Sequence, residues 1–312
     1  MKMCKGCKSS TYGLFYLYTY SFTYTICYLF FSCYQYLIYL NMEEIIIPDY
    51  LQNPAQILIA LDLLEKKSSE LPFLELYTLF EDALRIKSGD GLPITAVHLA
   101  GPTCRARLHD NKFNQADNVR LIGVKLTEIT QGRANPLSIP IFYGSNSKKT
   151  AAFEVLQDYG PGYYQITIGC WECQSELRLV NFVDGTDPDF KDISFVHSRP
   201  KEYLQSWDAI PRESATHLLD FFNSRFKMPK KPGFYNVTNV IAAFCFSLLD
   251  VDGIGYGAIS SGFAGYNIAL KNPSIIKCVT VEEWSITKFY NNQINGVCTK
   301  VGAIDDAGNI TW

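Results

Sequence analysis

The sequence predicts an α+β domain in which short strands flank a pair of central helices. Two runs in the middle of the chain, Glu213 to Phe226 and Val237 to Leu249, carry apolar residues at helical spacing. Segments rich in β-branched and aromatic residues lie on both sides of them: PIFYG, YYQITIG and ELRLVNF before, YNIAL and CVTVEEWS after. Strands first, helices in the middle and strands again at the end argue against a doubly wound parallel sheet, in which the two alternate. With 312 residues, 47% of them hydrophobic, the chain can bury one sizeable core beside a smaller appended segment.

The elements follow in order. Ser9 to Met42 contains no charged residue, and the stretch 11–40, after Lys2, Lys5 and Lys8, is long enough to cross a bilayer. Its tyrosines are spread through the centre, where a spanning helix prefers aliphatic residues, and no small-residue cleavage site follows. The favoured expectation is that translation starts at Met42 and that residues 1–41 are an over-extended gene start; a membrane anchor follows only if residues 11–40 are translated. Residues 42–92 read as a helical preface. Asn53 is placed to cap a helix with Pro54 at its first position and Ile57, Leu58, Leu61 and Leu64 on one side. A second helix is expected from Phe73 to Lys87, closed by Ser88 and Gly89. The Gly, Asp and Pro residues of 89–93 mark a boundary, leaving 93–312 as the main domain, in which Pro229 and Pro232 separate the two central helices.

Composition narrows the ligands. A net charge of -3, with no basic stripe interleaved with aromatics, excludes nucleic acid as the main partner. The ten cysteines sit mostly alone in apolar runs, which predicts free thiols, a reducing compartment and a cytoplasmic location. Cys170 and Cys173 have no second pair and no His at zinc spacing, so they read as two thiols of a strand, and no metal or resident cofactor is expected. GSNSKKT at 144–150 lacks the second Gly of a phosphate-binding loop, and DGIGYGA at 252–258 has Ser260 where a dinucleotide fingerprint needs Gly. His98, His109, His197 and His217 are scattered without ligand spacing and receive no role.

The informative run is GRANPLSIPIFYGSNSKKTAAFEVLQ, from Gly132 to Gln157, which holds Arg133, Tyr143 and Glu154. Taken singly these are bland: a surface Arg, a half-buried Tyr ending a strand, and a Glu early in a helix where it suits the dipole. Taken as a spaced set the run resembles the RES-domain family, whose signature is Gly-Arg-aromatic-Asn-Pro, an apolar strand ending in Tyr, and a helix beginning Thr-Ala-x-x-Glu. The resemblance extends to CRARL, where Arg105 matches an early Arg-x-Arg strand, and to DGIGYGAISSGFAGYNIALKNP, similar to a closing Asp-Gly-Ile-x-Tyr-Pro-Ser segment followed by Asn-x-Ala-Leu. It covers roughly residues 100–275.

The resemblance implies a fold like that of ADP-ribosyltransferases and a toxin of a toxin–antitoxin pair that degrades NAD⁺ at the nicotinamide–ribose bond, by phosphorolysis or hydrolysis. It also implies a partner antitoxin with a helix-turn-helix domain. Cleaving that bond passes through an oxocarbenium-like state, which a carboxylate stabilises; Glu154 is the candidate. Arg105 and Arg133 would hold the diphosphate or an attacking phosphate, and Tyr143 would stack on the nicotinamide. Asn267 follows from the Asn-x-Ala-Leu match. Two departures stand out. Ala134 replaces the aromatic of the first motif, removing a ring that could wall the pocket, and Ala258 replaces the closing Ser, leaving Ser260 or Ser261 to supply a substrate-binding hydroxyl from a shifted position. The alternatives are a protein-modifying ADP-ribosyltransferase with the same site and a catalytically silent binding module.

Overall fold

The computed structural model describes residues 47–86, 96–99 (backbone only), 102–110, 116–123, 132–135, 140–173, 177–182, 204–228, 234–259, 262 and 265–312. The Tyr-rich segment 1–41, the expected boundary at 89–93, and both Ser260 and Ser261 lie outside the described residues. Among the described residues no helix is long and apolar enough to cross a membrane.

Helix α1 (Pro54–Lys67) starts as its residues dictate: the Asn53 side chain accepts the Gln56 N–H at 3.1 Å and Pro54 occupies the first turn. Helix α2 (Phe73–Leu84) ends three residues before the expected Lys87. Arg85 takes a left-handed conformation (φ 58°), which turns the chain out of the helix before the Ser88-Gly89 pair is reached. The two helices do not stand apart from the rest. Phe80 meets Phe244 edge to face at 5.3 Å, and the Glu65 carboxylate pairs with Arg225 at 2.5 Å.

The strands are β1 (Ala96–Leu99), β2 (Thr103–Leu108), β3 (Phe142–Ser145), β4 (Gly162–Cys173), β5 (Leu177–Asn181), β6 (Gly253–Gly257), β7 (Tyr266–Leu270), β8 (Ile276–Lys288), β9 (Ile294–Ile304) and β10 (Ile310–Thr311). Between them run α3 (Lys148–Leu156), α4 (Ala209–Lys227) and α5 (Phe234–Leu248). The strands form one mixed sheet in the order β1-β5-β6-β7-β3-β2-β4-β8-β9-β10. Only β5 and β6 run parallel within it; the other described pairs are antiparallel. A chain mixing α and β elements is thus what the sequence periodicity led us to expect.

One junction in this sheet is thin. Strands β2 and β3 are in register at a single pair, Cys104 with Ser145, whereas β4 and β8 pair along their whole length. The sheet therefore consists of two halves, β1-β5-β6-β7-β3 and β2-β4-β8-β9-β10, joined at one rung.

Each face has its own core. On one, Phe142, Trp171, Ile268, Leu270 and Val281 pack with Ile122 and Ile310. On the other, α3 lays Ala151, Ala152 and Leu156 against Cys104, Ile166 and Ile168. The aromatic rings of Phe182, Phe222 and Phe226 link α4 to the sheet, with Phe182 and Phe226 4.8 Å apart.

Cys104 and Cys170 are joined by a disulfide between β2 and β4. This corrects the expectation of free thiols at both positions. The two residues face each other across an antiparallel ladder 66 residues apart in sequence, a proximity that no local spacing announces. Cys173, Cys245, Cys278 and Cys298 are free. The expectation of a reducing compartment therefore loses two of the thiols on which it rested.

Candidate active site

Tyr143 ends the apolar part of β3, and its hydroxyl is tied down on both sides. It accepts the Ala134 N–H at 2.8 Å and donates to the Asn135 side-chain carbonyl. Gly132 makes this approach possible, since a Cβ there would lie 2.5 Å from the Tyr143 Oη. The segment Gly132–Asn135 is thus wrapped onto the phenol by the same residues whose spacing drew attention in the sequence. Burial raises the Tyr143 pKa well above its ordinary value, while the Ala134 N–H and the charges of Arg105 and Arg133 pull it down. The group is a neutral phenol at physiological pH.

Register then fixes which residues share its face. Directly opposed residues of antiparallel strands point the same way, so Tyr143 lies with Ala269, and Ser145 with Asn267, Tyr256 and Cys104. Alternation along β3 puts Tyr143 and Ser145 on one side, the side covered by α3. Ser147 caps α3 by accepting the Thr150 N–H, and Glu154 follows one turn after Thr150. Glu154 lies beyond the first turn of the helix, so complementing the dipole does not explain it. The buried Tyr256 hydroxyl connects these groups: burial raises its pKa, the charge of Glu154 and the hydroxyls of Tyr143 and Tyr235 push it further up, and Arg133 opposes them. Tyr143, Tyr256 and the helix that carries Glu154 thus share one face of the sheet, and the Ala134 N–H ties the turn that holds Arg133 to Tyr143.

Arg133 also reaches the end of α4, where its Nη1 donates to the Phe226 carbonyl at 3.4 Å. A cation suits the C-terminal end of a helix, whose last carbonyls lack partners in the helix itself.

Arg105 lies elsewhere. It follows Cys104 on β2, so its side chain leaves the sheet on the face opposite Tyr143, and its guanidinium carbon stands 5.7 Å from the centre of the Phe142 ring. This revises the picture of Arg105 standing beside Arg133. It is nevertheless close enough to act on the Tyr143 hydroxyl across the thin β2–β3 junction. Burial, followed by the neighbouring charge of Arg107, lowers its pKa to about 10, so it remains charged at neutral pH. Its Nη1 is shut off from solvent with no hydrogen-bond partner among the described residues. A buried guanidinium nitrogen left without an acceptor is costly, and an anion would satisfy it.

The other expected positions fall as follows. Asn267 is buried and its side-chain carbonyl accepts from the Ser145 hydroxyl at 2.7 Å, which crosslinks β3 to β7. Ala134 is fully enclosed within the turn rather than standing as a gap in a pocket wall, so an aromatic at this position would have to displace its neighbours. Ala258 is equally enclosed, and its N–H donates to the Gly265 carbonyl.

Three residues of this neighbourhood escaped the sequence reading. Tyr256 lies within the segment DGIGYGA and received no role there. Tyr235 and Asn239 lie one turn apart on α5, where attention went to the apolar stripe. The available signal was the polarity of Asn239 within that stripe, since a buried amide is more informative than another Leu. Compared with models of known protein families and with curated proteins, the chain has no match in either.

Proposed function

We propose that this chain is an NAD⁺-consuming enzyme of the RES-domain kind, with an ADP-ribosyltransferase-like fold, that cleaves the bond between nicotinamide and ribose. The observation that carries the reading is the bonding of the Tyr143 hydroxyl to the turn that holds Arg133, on the face of the sheet covered by the helix that carries Glu154. In the reaction the C–N bond breaks with its electron pair leaving on nicotinamide, and the ribose becomes oxocarbenium-like. Glu154 supplies the compensating negative charge and aligns the water or phosphate that attacks. Arg133 provides positive charge for the diphosphate on the face of Tyr143, while Arg105, on the opposite face, offers a second buried anion contact through its orphaned Nη1. Tyr143 presents its ring, its hydroxyl being already engaged. Acting on the cytoplasmic NAD⁺ pool as a toxin, and restraint by an antitoxin that blocks the site, belong to the same reading.

Incubating purified protein with NAD⁺ tests it. Free nicotinamide together with ADP-ribose or ADP-ribose 1″-phosphate is the expected outcome. Labelled protein would point to an ADP-ribosyltransferase, and unchanged NAD⁺ to a silent module. Glu154→Gln, nearly isosteric but uncharged, should lower turnover by about two orders of magnitude or more. Full turnover in that variant removes Glu154 from the mechanism.

A further inference from the structure

Asn239 is a polar residue in the wrong company. Its neighbours on α5, Val240, Ile241, Ala242 and Phe244, are all buried, and Asn239 itself is 3% exposed. An amide taken out of water at such a place persists where it has a partner. The partner is main chain: Asn239 Oδ1 accepts the Asn135 N–H at 2.9 Å. Asn135, itself 7% exposed, uses its side-chain carbonyl to accept from the Tyr143 hydroxyl, and that hydroxyl accepts the Ala134 N–H.

Two successive main-chain N–H groups are therefore held by side chains from two different elements, one from β3 and one from α5. The residue immediately before them is Arg133, whose guanidinium reaches the end of α4. Asn239 brings α5 into this arrangement by holding the main chain next to Arg133.

We infer that Asn239 is a positioning residue: by holding the Asn135 N–H it fixes the Gly132–Asn135 segment on α5 and so sets the direction of the Arg133 guanidinium. The effect on the segment stands on the hydrogen bonds alone. The effect on NAD⁺ rests on the function proposed above, in which Arg133 grips the diphosphate. Asn239 never touches substrate in this account, so its loss acts on binding through Arg133 and leaves the Glu154 chemistry in place.

Three variants of the full chain test this. Asn239→Leu fills the same space without an acceptor, Asn239→Ala removes it, and Asn239→Asp keeps an acceptor oxygen. Amide hydrogen exchange is measured by NMR without ligand, and KM and kcat for NAD⁺ are measured separately. In the Leu and Ala variants the Ala134 and Asn135 amides should exchange roughly five- to tenfold faster, with the β6 and β7 amides unchanged. KM should rise roughly tenfold while kcat stays within a factor of about two. Asn239→Asp should restore both readouts. In an Arg133→Ala background, Asn239→Leu should raise KM no further.

Unchanged exchange at Ala134 and Asn135 overturns the inference, as does an equal rise in KM with and without Arg133. If the Leu and Ala variants both fail to fold, Asn239 is a fold determinant and the inference falls. If the wild-type protein neither binds nor turns over NAD⁺, the proposed function fails, and the exchange measurement still decides what Asn239 does.

Discussion

Gly132 shows how closely the residues around the candidate site fit. A Cβ there would lie 2.5 Å from the Asn135 Oδ1 and 2.9 Å from the Tyr143 Cζ, so even alanine must push the phenol or the turn aside. Gly132→Ala should therefore destabilise the protein by about 1–3 kcal/mol, read as a shift of the urea midpoint at constant slope. It should also raise KM for NAD⁺, because the displaced turn carries Arg133. A variant with wild-type stability and KM would mean that the segment has slack the packing does not show. Gly132, Arg133, Tyr143 and Glu154 were legible in the sequence because they fall within one turn–strand–helix run, where local spacing maps onto neighbourhood. Tyr235 and Asn239 reach the same point from about a hundred residues away, across the fold, and no local pattern could place them there. The facing of Arg105 was illegible for a related reason. Its type suggested an anion contact, but which side of the sheet it left depended on the pairing of Cys104 with Ser145.

At the scale of single elements, α3 depends on a residue far along the chain. The Leu156 carbonyl at its end accepts the Tyr159 N–H and, at 2.7 Å, the ammonium of the buried Lys288 of β8, which also donates to Tyr159 O at 2.6 Å in the turn that follows. Lys288→Met keeps most of the buried stem and removes the donors. It should cost about 1–3 kcal/mol in urea unfolding and loosen the helix that carries Glu154. An unchanged midpoint would show that water replaces the ammonium at no cost. The sequence identified α1 through its Asn-Pro start and β7 to the residue, because both signals are local. It extended α2 too far, since nothing in the residue type of Arg85 announces a left-handed conformation. It also passed over β9, whose run of exposed residues lacks the alternation that marks a half-buried strand.

Across the whole molecule, the disulfide closes a 66-residue span that begins before β3 and ends in β4. Among the described residues it is the one cross-link that a reductant can remove, the remaining cysteines being free. Reduction should lower stability by about 2–4 kcal/mol through the larger freedom of the unfolded chain, measured as the urea midpoint with and without a thiol reductant. Coincident midpoints would mean that the two sulfurs contribute only as packed apolar groups. The general mixture of helices and strands was legible at this scale because periodicity is cumulative over many residues. The division of the sheet into two halves was not, because it depends on how few rungs join β2 to β3.

That division has a mechanical side. A sheet normally shares a load among all the rungs between neighbouring strands, whereas this seam has one rung, helped by the Thr103 hydroxyl donating to Ser145 O at 3.4 Å and by Phe142 packing onto Trp171. The disulfide ties β2 to β4 and so lies wholly within one half, doing nothing to reinforce the seam. Pulled from opposite edges, the sheet would open between β2 and β3, and Arg105 and Tyr143 stand on the two lips of that opening. An anion that met the orphaned Arg105 Nη1 would sit on the β2 lip, on the face away from Tyr143, and would stabilise the molecule by its own binding rather than by closing the seam.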